Sequence, residues 1–262
     1  MTRRQFQIFT ALAAAVIFYL LFPPLGTIGI AGLDGSVAME RFMRGATAYS
    51  AGDYATAQEA LLGLVESGTT NGSIYYNLGN AYLKDGQIGP AILWYERAQR
   101  LTPGDPDLGF NLTYARTLAV DAAEETEGPL EKVIFFWRQR VSSTSIQWIA
   151  LAVNGMLWGL LIFGALRPGK IAGSLQLAAL ILAVSIIAVV TYDLSYSRRR
   201  DEGIVLPERI AIRAGLKTAD TELFVLHAGA KVRIRKELPE HYQVQYSRGK
   251  LGWVAKDAIG RI

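Results

Sequence analysis

The chain has 262 residues, 51% of them hydrophobic and 19% charged, a balance high for a fully soluble protein, which puts membrane segments first in the search. The net charge of +4 hides a division, since residues 34–131 carry 14 acidic against 6 basic side chains, and residues 198–262 carry 8 against 14. With no cysteine, disulfides, thiolate metal sites and cysteine nucleophiles are excluded.

Arg3 and Arg4 open a run that is apolar from about Phe6 to Phe22 and stops at Pro23-Pro24, whose rings and missing amide donors end a helix. Residues 1–32 are read as a signal peptide or an N-terminal anchor. Small residues precede Gly32 (Gly29, Ala31) and Met39 (Ser36, Ala38) at −3 and −1, so cleaved and retained forms both fit.

Shifting the chain by 34 residues lays Gly45 on Gly79, Gly52 on Gly86, Ala57 on Ala91, Leu61 on Tyr95 and Leu64 on Ala98. A second shift lays Asn77-Leu78 on Asn111-Leu112 and Ala81 on Ala115. The stretches "FMRGATAYSAGDYATAQEAL" and "YYNLGNAYLKDGQIGPAILWYERAQRLTPGDPD" resemble the tetratricopeptide repeat family. Leu78, Gly79, Tyr82, Gly86, Ala91, Tyr95, Ala98 and Pro103 stand at family positions. Small residues at 79 and 91 allow close helix approach, tyrosines fill the space between hairpins, Gly86 permits the turn and Pro103 ends the second helix. The resemblance implies an all-α domain over 38–122, two full repeats and a lone capping helix at 106–120. It also implies a groove for an extended peptide or partner helix. The family's groove positions fall on Tyr76, Asn80 and Lys84, and on Phe110, Tyr114 and Thr117, with Asn77 and Asn111 available to bond a peptide backbone.

An acidic, turn-rich stretch then leads into "PLEKVIFFWRQRV", so 123–145 is read as a linker and an amphipathic helix lying in a membrane interface. Residues 146–166 and 171–192 are uncharged and joined by "RPGK"; each is long enough, at ~1.5 Å per residue, for the ~30 Å hydrocarbon layer, which predicts a transmembrane hairpin. Arg3, Arg4, Arg167 and Lys170 place the N-terminus and the short turn in the cytoplasm and the flanking domains on the far side. Arg138, Arg140 and Arg198 to Arg200 vote against this.

From 204 to 262 the pattern changes to short alternating runs broken by Gly229 and Gly249, which predicts a small antiparallel β domain. "IAIRAG", "LHAGAKVRI" and "YQVQYSRGKLGWVAKDAI" resemble the bacterial SH3-like family, so a small all-β barrel is expected, with Tyr242, Tyr246 and Trp253 as candidate ligand contacts. The basic balance here, facing an acidic helical region, also predicts a salt-sensitive, self-inhibiting contact between the two.

No metal site or cofactor is expected: His227 and His241 are the only histidines, and no carboxylate cluster stands at ligand spacing. No catalytic residues are assigned, and no basic-aromatic platform for nucleic acid appears. Asn71-Gly72-Ser73 and Asn111-Leu112-Thr113 match the glycosylation pattern, which is too common to carry weight. Taken in order, the segments resemble the tetratricopeptide component of bacterial aerotolerance (Bat) operons, close to the BatE-like type. That resemblance implies a multi-domain, multi-pass protein of the bacterial inner membrane with its water-facing domains outside the cytoplasm. Its implied partners are membrane proteins or peptide segments, von Willebrand factor A domain proteins, a MoxR-type ATPase and the lipid bilayer. The function read from the sequence is a non-enzymatic scaffold; the alternative is an adaptor that grips peptidoglycan or the envelope through its β domain.

Overall fold

The computed structural model describes residues 35–121, 201–217, 219–247 and 249–262, with a few isolated positions between 148 and 184. The segments expected at 1–32, 123–145, 146–166 and 171–192 lie outside the described residues, those isolated positions apart.

Five helices come first: α1 (Gly35–Ser50), α2 (Tyr54–Glu66), α3 (Gly72–Lys84), α4 (Ile88–Leu101) and α5 (Pro106–Leu118). Three of them start on a short polar side chain that accepts otherwise unpartnered amides. Asp53 accepts from Thr56, Asn71 from Ser73 and Ile74, and Asp105 from Asp107 and Leu108, with Pro106 pre-set for the first turn of α5. The turns between α1 and α2 and between α3 and α4 pass through Gly52 and Gly86 at φ of +80° and +79°, a left-handed conformation that residues with a Cβ rarely adopt. Within each hairpin the chains nearly touch. A Cβ on Gly79 would overlap the Tyr95 ring, and one on Gly45 would lie 3.1 Å from Leu61 Cγ, the corresponding pair one period earlier. Leu61, Leu64, Ile74, Leu78 and Trp94 fill the space between the hairpins.

Seven strands follow: β1 (Glu202–Val205), β2 (Arg209–Arg213), β3 (Glu222–His227), β4 (Lys231–Glu237), β5 (His241–Ser247), β6 (Lys250–Ala255) and β7 (Ile259–Arg261). They form one antiparallel sheet in the order β3-β2-β6-β5-β4-β1-β7. Alternate side chains of the sheet, among them Ile212, Leu226, Val232, Val244 and Val254, form its own core.

The sheet is built onto the helices. Ile204 of β1 is buried in the helical core with Leu108, Leu112 and Ala115, and Leu206 and Ile262 pack against the same cluster. At Gly89 of α4 the two chains come so close that a Cβ would stand 2.6 Å from the Val205 carbonyl and 2.7 Å from that of Leu206. Charges then run alternately across the junction. Glu96, almost wholly buried on α4, accepts from Arg116 of α5 at 2.6 Å and from Lys231 of β4 at 3.3 Å. Lys231 reaches the buried Glu202 at 3.1 Å, and Arg100 stands 3.9 Å from that same carboxylate. Arg97 donates to the Arg261 carbonyl and Arg100 to that of Ile262. Asp121, just past α5, accepts the His227 amide at 2.6 Å. Contact between the acidic and basic halves is therefore present as a packed junction on α4 and α5, its carboxylates Glu96 and Glu202 buried and its arginines partly exposed.

Two expectations are corrected. The fold class anticipated a transmembrane helix hairpin between the helical repeats and the β domain; the described architecture is five helices and a seven-stranded antiparallel sheet with β3 and β7 at its edges. Among the described residues no helix is long and apolar enough to cross a membrane, which counts against the multi-pass inner-membrane location. The physical reason lies in the helices themselves. The longest, α1, has 16 residues, about 24 Å at ~1.5 Å per residue, and carries Glu40, Arg41 and Arg44.

The junction makes two predictions. Burial alone raises the Glu96 carboxyl pKa, but Lys231 and Arg116 outweigh it and hold the group below its ordinary 4.5. Because the folded chain releases this proton more readily than the unfolded one, the stabilisation is complete above about pH 4.5 and is lost as pH falls through the folded value. Glu96→Gln should lower unfolding stability at pH 7 by about 3 kcal/mol and flatten this part of the acid limb, read by urea unfolding across pH 3 to 7. Gly89→Val, forced into two carbonyls, should cost about 1–3 kcal/mol, whereas Gly109→Ala, with open space around it, should gain roughly 0.5–1 kcal/mol in the same assay.

Candidate functional site

The first helices of the three periods, α1, α3 and α5, stand side by side. Between α1 and α3 lies a cleft of ≈ 170 Å³ lined by Gly45, Ala46, Tyr49, Ser50, Leu61, Asn77 and Asn80. Its floor is apolar because the close helix approach at Gly45 and Ala46 leaves only Leu61 beneath. Its rim is polar but uncharged.

From the rim a hydrogen-bonded chain crosses to α5. Tyr95 Oη donates to Asn80 Oδ1 at 2.6 Å, and Asn111 Nδ2 reaches both Asn80 Oδ1 and Tyr76 Oη at 2.9 Å. The Tyr76 and Tyr95 rings lie 6.0 Å apart, tilted by 44°. Burial, then the neighbouring Tyr76 and Tyr49, pushes the Tyr95 phenol far above its usual range, so it remains a donor at physiological pH. Burial raises Tyr49 as well, with Tyr54 and Tyr76 adding to it. Asn80 and Asn111 thus spend much of their capacity fixing α3 against α4 and α5. Asn77 has no hydrogen-bond partner among the described residues, and its amide keeps two donors and an acceptor for a ligand.

A tetratricopeptide repeat family model matches residues 42–106. The match begins within α1, covers α2, α3 and α4, and ends at the first residue of α5. No curated protein matches the chain. Tetratricopeptide repeats are protein-interaction scaffolds, typically without enzymatic activity, and their presence implies protein partners. Among the described residues no group of three or more histidine or carboxylate side chains is placed to hold a metal ion.

Against this geometry the residues singled out in the sequence divide. Asn77 and Asn80 line the cleft, while Tyr76 and Asn111 are drawn into the polar chain beside it. Lys84, Phe110, Tyr114 and Thr117 are exposed on α3 and α5, and the Thr117 hydroxyl donates to the Tyr114 carbonyl. In the sheet the three aromatic candidates do not converge. Tyr242 is buried in the core, with Lys256 Nζ 5.1 Å from its ring centre, and Tyr246 packs against the same core. Trp253, paired in register with Gln243 and Arg213, alternates with the buried Gly252 and Val254 and so lies on the other face. Neither sequon asparagine is idle, since Asn71 caps α3 and Asn111 ties α5 to α3.

Sequence reasoning missed the contribution of the first period, Gly45, Ala46, Tyr49 and Ser50. The signal was available. Shifting Asn80 and Lys84 back by 34 residues lands on Ala46 and Ser50.

Removing the Tyr95 hydroxyl should leave Asn80 Oδ1 with one donor fewer in a half-buried site. Tyr95→Phe is expected to cost about 1 kcal/mol, and adding Asn111→Ala less than its separate effect, because the two share one acceptor; a double-mutant cycle by urea unfolding measures this.

Proposed function

We propose that the chain is a non-enzymatic protein–protein interaction scaffold whose first helices α1, α3 and α5 hold an extended segment of a partner, with the sheet closing the end of the repeat array. The observation that carries this reading is the Asn77 amide in the cleft, without a partner among the described residues, beside Asn80 and Asn111 amides that are already engaged. A primary amide offers a donor and an acceptor side by side, which matches the carbonyl and N–H of a peptide main chain. Lys84, Phe110, Tyr114 and Thr117 are exposed further along α3 and α5, and in this reading they extend the groove. The alternative, an envelope adaptor acting through the sheet, gains nothing from Tyr242, Tyr246 and Trp253, which are not gathered on one face. A finer proposal, that the partners are von Willebrand factor A domain proteins and a MoxR-type ATPase, rests on the order of segments alone, and no groove residue selects it.

A photo-crosslinking side chain at Ser50 should capture partner proteins, and Asn77→Ala in the same chain should weaken capture about tenfold, in line with one lost hydrogen bond in a desolvated groove. Capture that is indifferent to both Asn77→Ala and Tyr114→Ala, or that occurs only from probes in the sheet, would overturn the reading.

A further inference from the structure

Strand register gathers a second set of side chains, far from the cleft in sequence. Gln243 and Gln245 of β5 alternate with Tyr242 and Val244 of the sheet core, so both amides stand on the opposite face. Side chains paired across neighbouring strands share a face. Gln243 is paired with Lys236 of β4 on one side and with Trp253 of β6 on the other, and Trp253 is paired in turn with Arg213 of β2. One step along β5, Gln245 is paired with Arg233 and Leu251. Arg235 joins this face by donating from Nε to Gln245 Oε1 at 2.7 Å. Strands lie ~4.8 Å apart, so the row from Lys236 to Arg213 runs about 14 Å across four strands.

The β4 side of this face is basic and is not neutralised. The Lys236 and Arg233 side chains have no ion pair or hydrogen bond among the described residues, and Arg235 spends its one bond on a neutral amide. The carboxylates nearest in register are already taken. Glu222 pairs with Arg213 at 2.8 Å, Glu202 opposite Arg233 lies 3.1 Å from Lys231, and Glu237 pairs with Lys256 and Arg261. Three cations on one short stretch of strand repel one another, and an anion placed over them relieves that repulsion. Beside them the face turns apolar, with Leu251 42% exposed and Trp253 half-buried. The Gln243 amide and the Trp253 indole N–H, which lie between the lysine and Arg213, have no partner among the described residues.

We infer that this outer face of the sheet is a second binding site, taken by an extended acidic segment of a partner protein. Its carboxylates meet Arg233, Arg235 and Lys236, and an adjoining apolar side chain packs on Trp253 and Leu251. The site is separate from the cleft and does not rest on the groove reading. A protein segment fits because the repeats imply protein partners, and because the Gln243 amide, set between the cations and the indole, offers a main chain both a donor and an acceptor. Attraction between charges in water supplies much of the affinity, so salt weakens it.

The test uses the full chain and dye-labelled 12-residue peptides of a glycine-serine host, read by fluorescence anisotropy. One carries three glutamates followed by a leucine; its control carries glutamines in their place. The glutamate peptide is expected to bind at least about tenfold tighter than the control and to lose about tenfold in affinity between 0.05 and 0.5 M NaCl. Lys236→Glu, at an exposed position, should weaken it about tenfold with an unchanged unfolding transition, and Trp253→Leu about fivefold. Lys84→Glu, the same charge change on exposed α3, should alter it by less than about twofold. Equal binding of the glutamine control, or a loss in Lys84→Glu as large as that in Lys236→Glu, would overturn the site on the sheet. Tighter binding of oligothymidine or of anionic phospholipid vesicles than of the glutamate peptide, abolished by Lys236→Glu, would overturn the protein segment as its occupant.

Discussion

A carboxylate taken out of water fixes this structure. Glu96 lies between Arg116, from the neighbouring helix, and Lys231, from a strand 135 positions further along the chain. A lone buried carboxylate costs several kcal/mol, and attraction offsets that cost only when partners are held in place. Here the partners are shared. Lys231 also serves Glu202, and Glu202 is approached by Arg100, so each buried charge is flanked by opposite ones. Around them the fit is apolar and close, with Ile204 inside the helical core and Gly89 against two carbonyls of the sheet. The sheet is therefore a part of the repeat array. It covers the surface of α4 and α5 that a further helix of the series would otherwise shield from water.

Cleft and junction meet on one helix. Tyr95 and Glu96 are consecutive, yet the phenol of the first donates to Asn80 towards the cleft and the carboxylate of the second accepts from the sheet. Successive residues of a helix point about 100° apart, so a single turn of α4 serves two surfaces at once. Gly79 makes room for this arrangement, since any side chain there would displace the Tyr95 ring and with it the hydroxyl on which Asn80 depends.

Much of the helical half was legible. Glycines, alanines and leucines recurring at 34 residues marked the hairpins because close approach and turns permit few substitutes, and such constraints are local. The strands of the sheet were visible from alternation in Val232 to Arg235 and Tyr242 to Tyr246. Their pairing was not, because β1 enters between β4 and β7, a register set by contacts far apart in the chain. The junction was hidden for the same reason. Glu96 reads as an ordinary surface residue of an amphipathic helix, and nothing near it in sequence announces Lys231. At the groove, family positions located Asn80, with Asn77 beside Tyr76, but gave no means of telling the engaged amide from the available one. Only geometry separates them.

Repeat arrays usually behave as springs, because each unit touches just its neighbours and small rotations accumulate along the stack. The sheet seated on α4 and α5 works as a brace against that winding, gripping two successive periods through Ile204, Lys231 and Asp121. Curvature on the opposite side is then set before any visitor arrives. For the scaffold proposed above, little disorder would be surrendered at the moment of capture, and recognition would become a matter of shape already waiting rather than of an embrace that forms around its object.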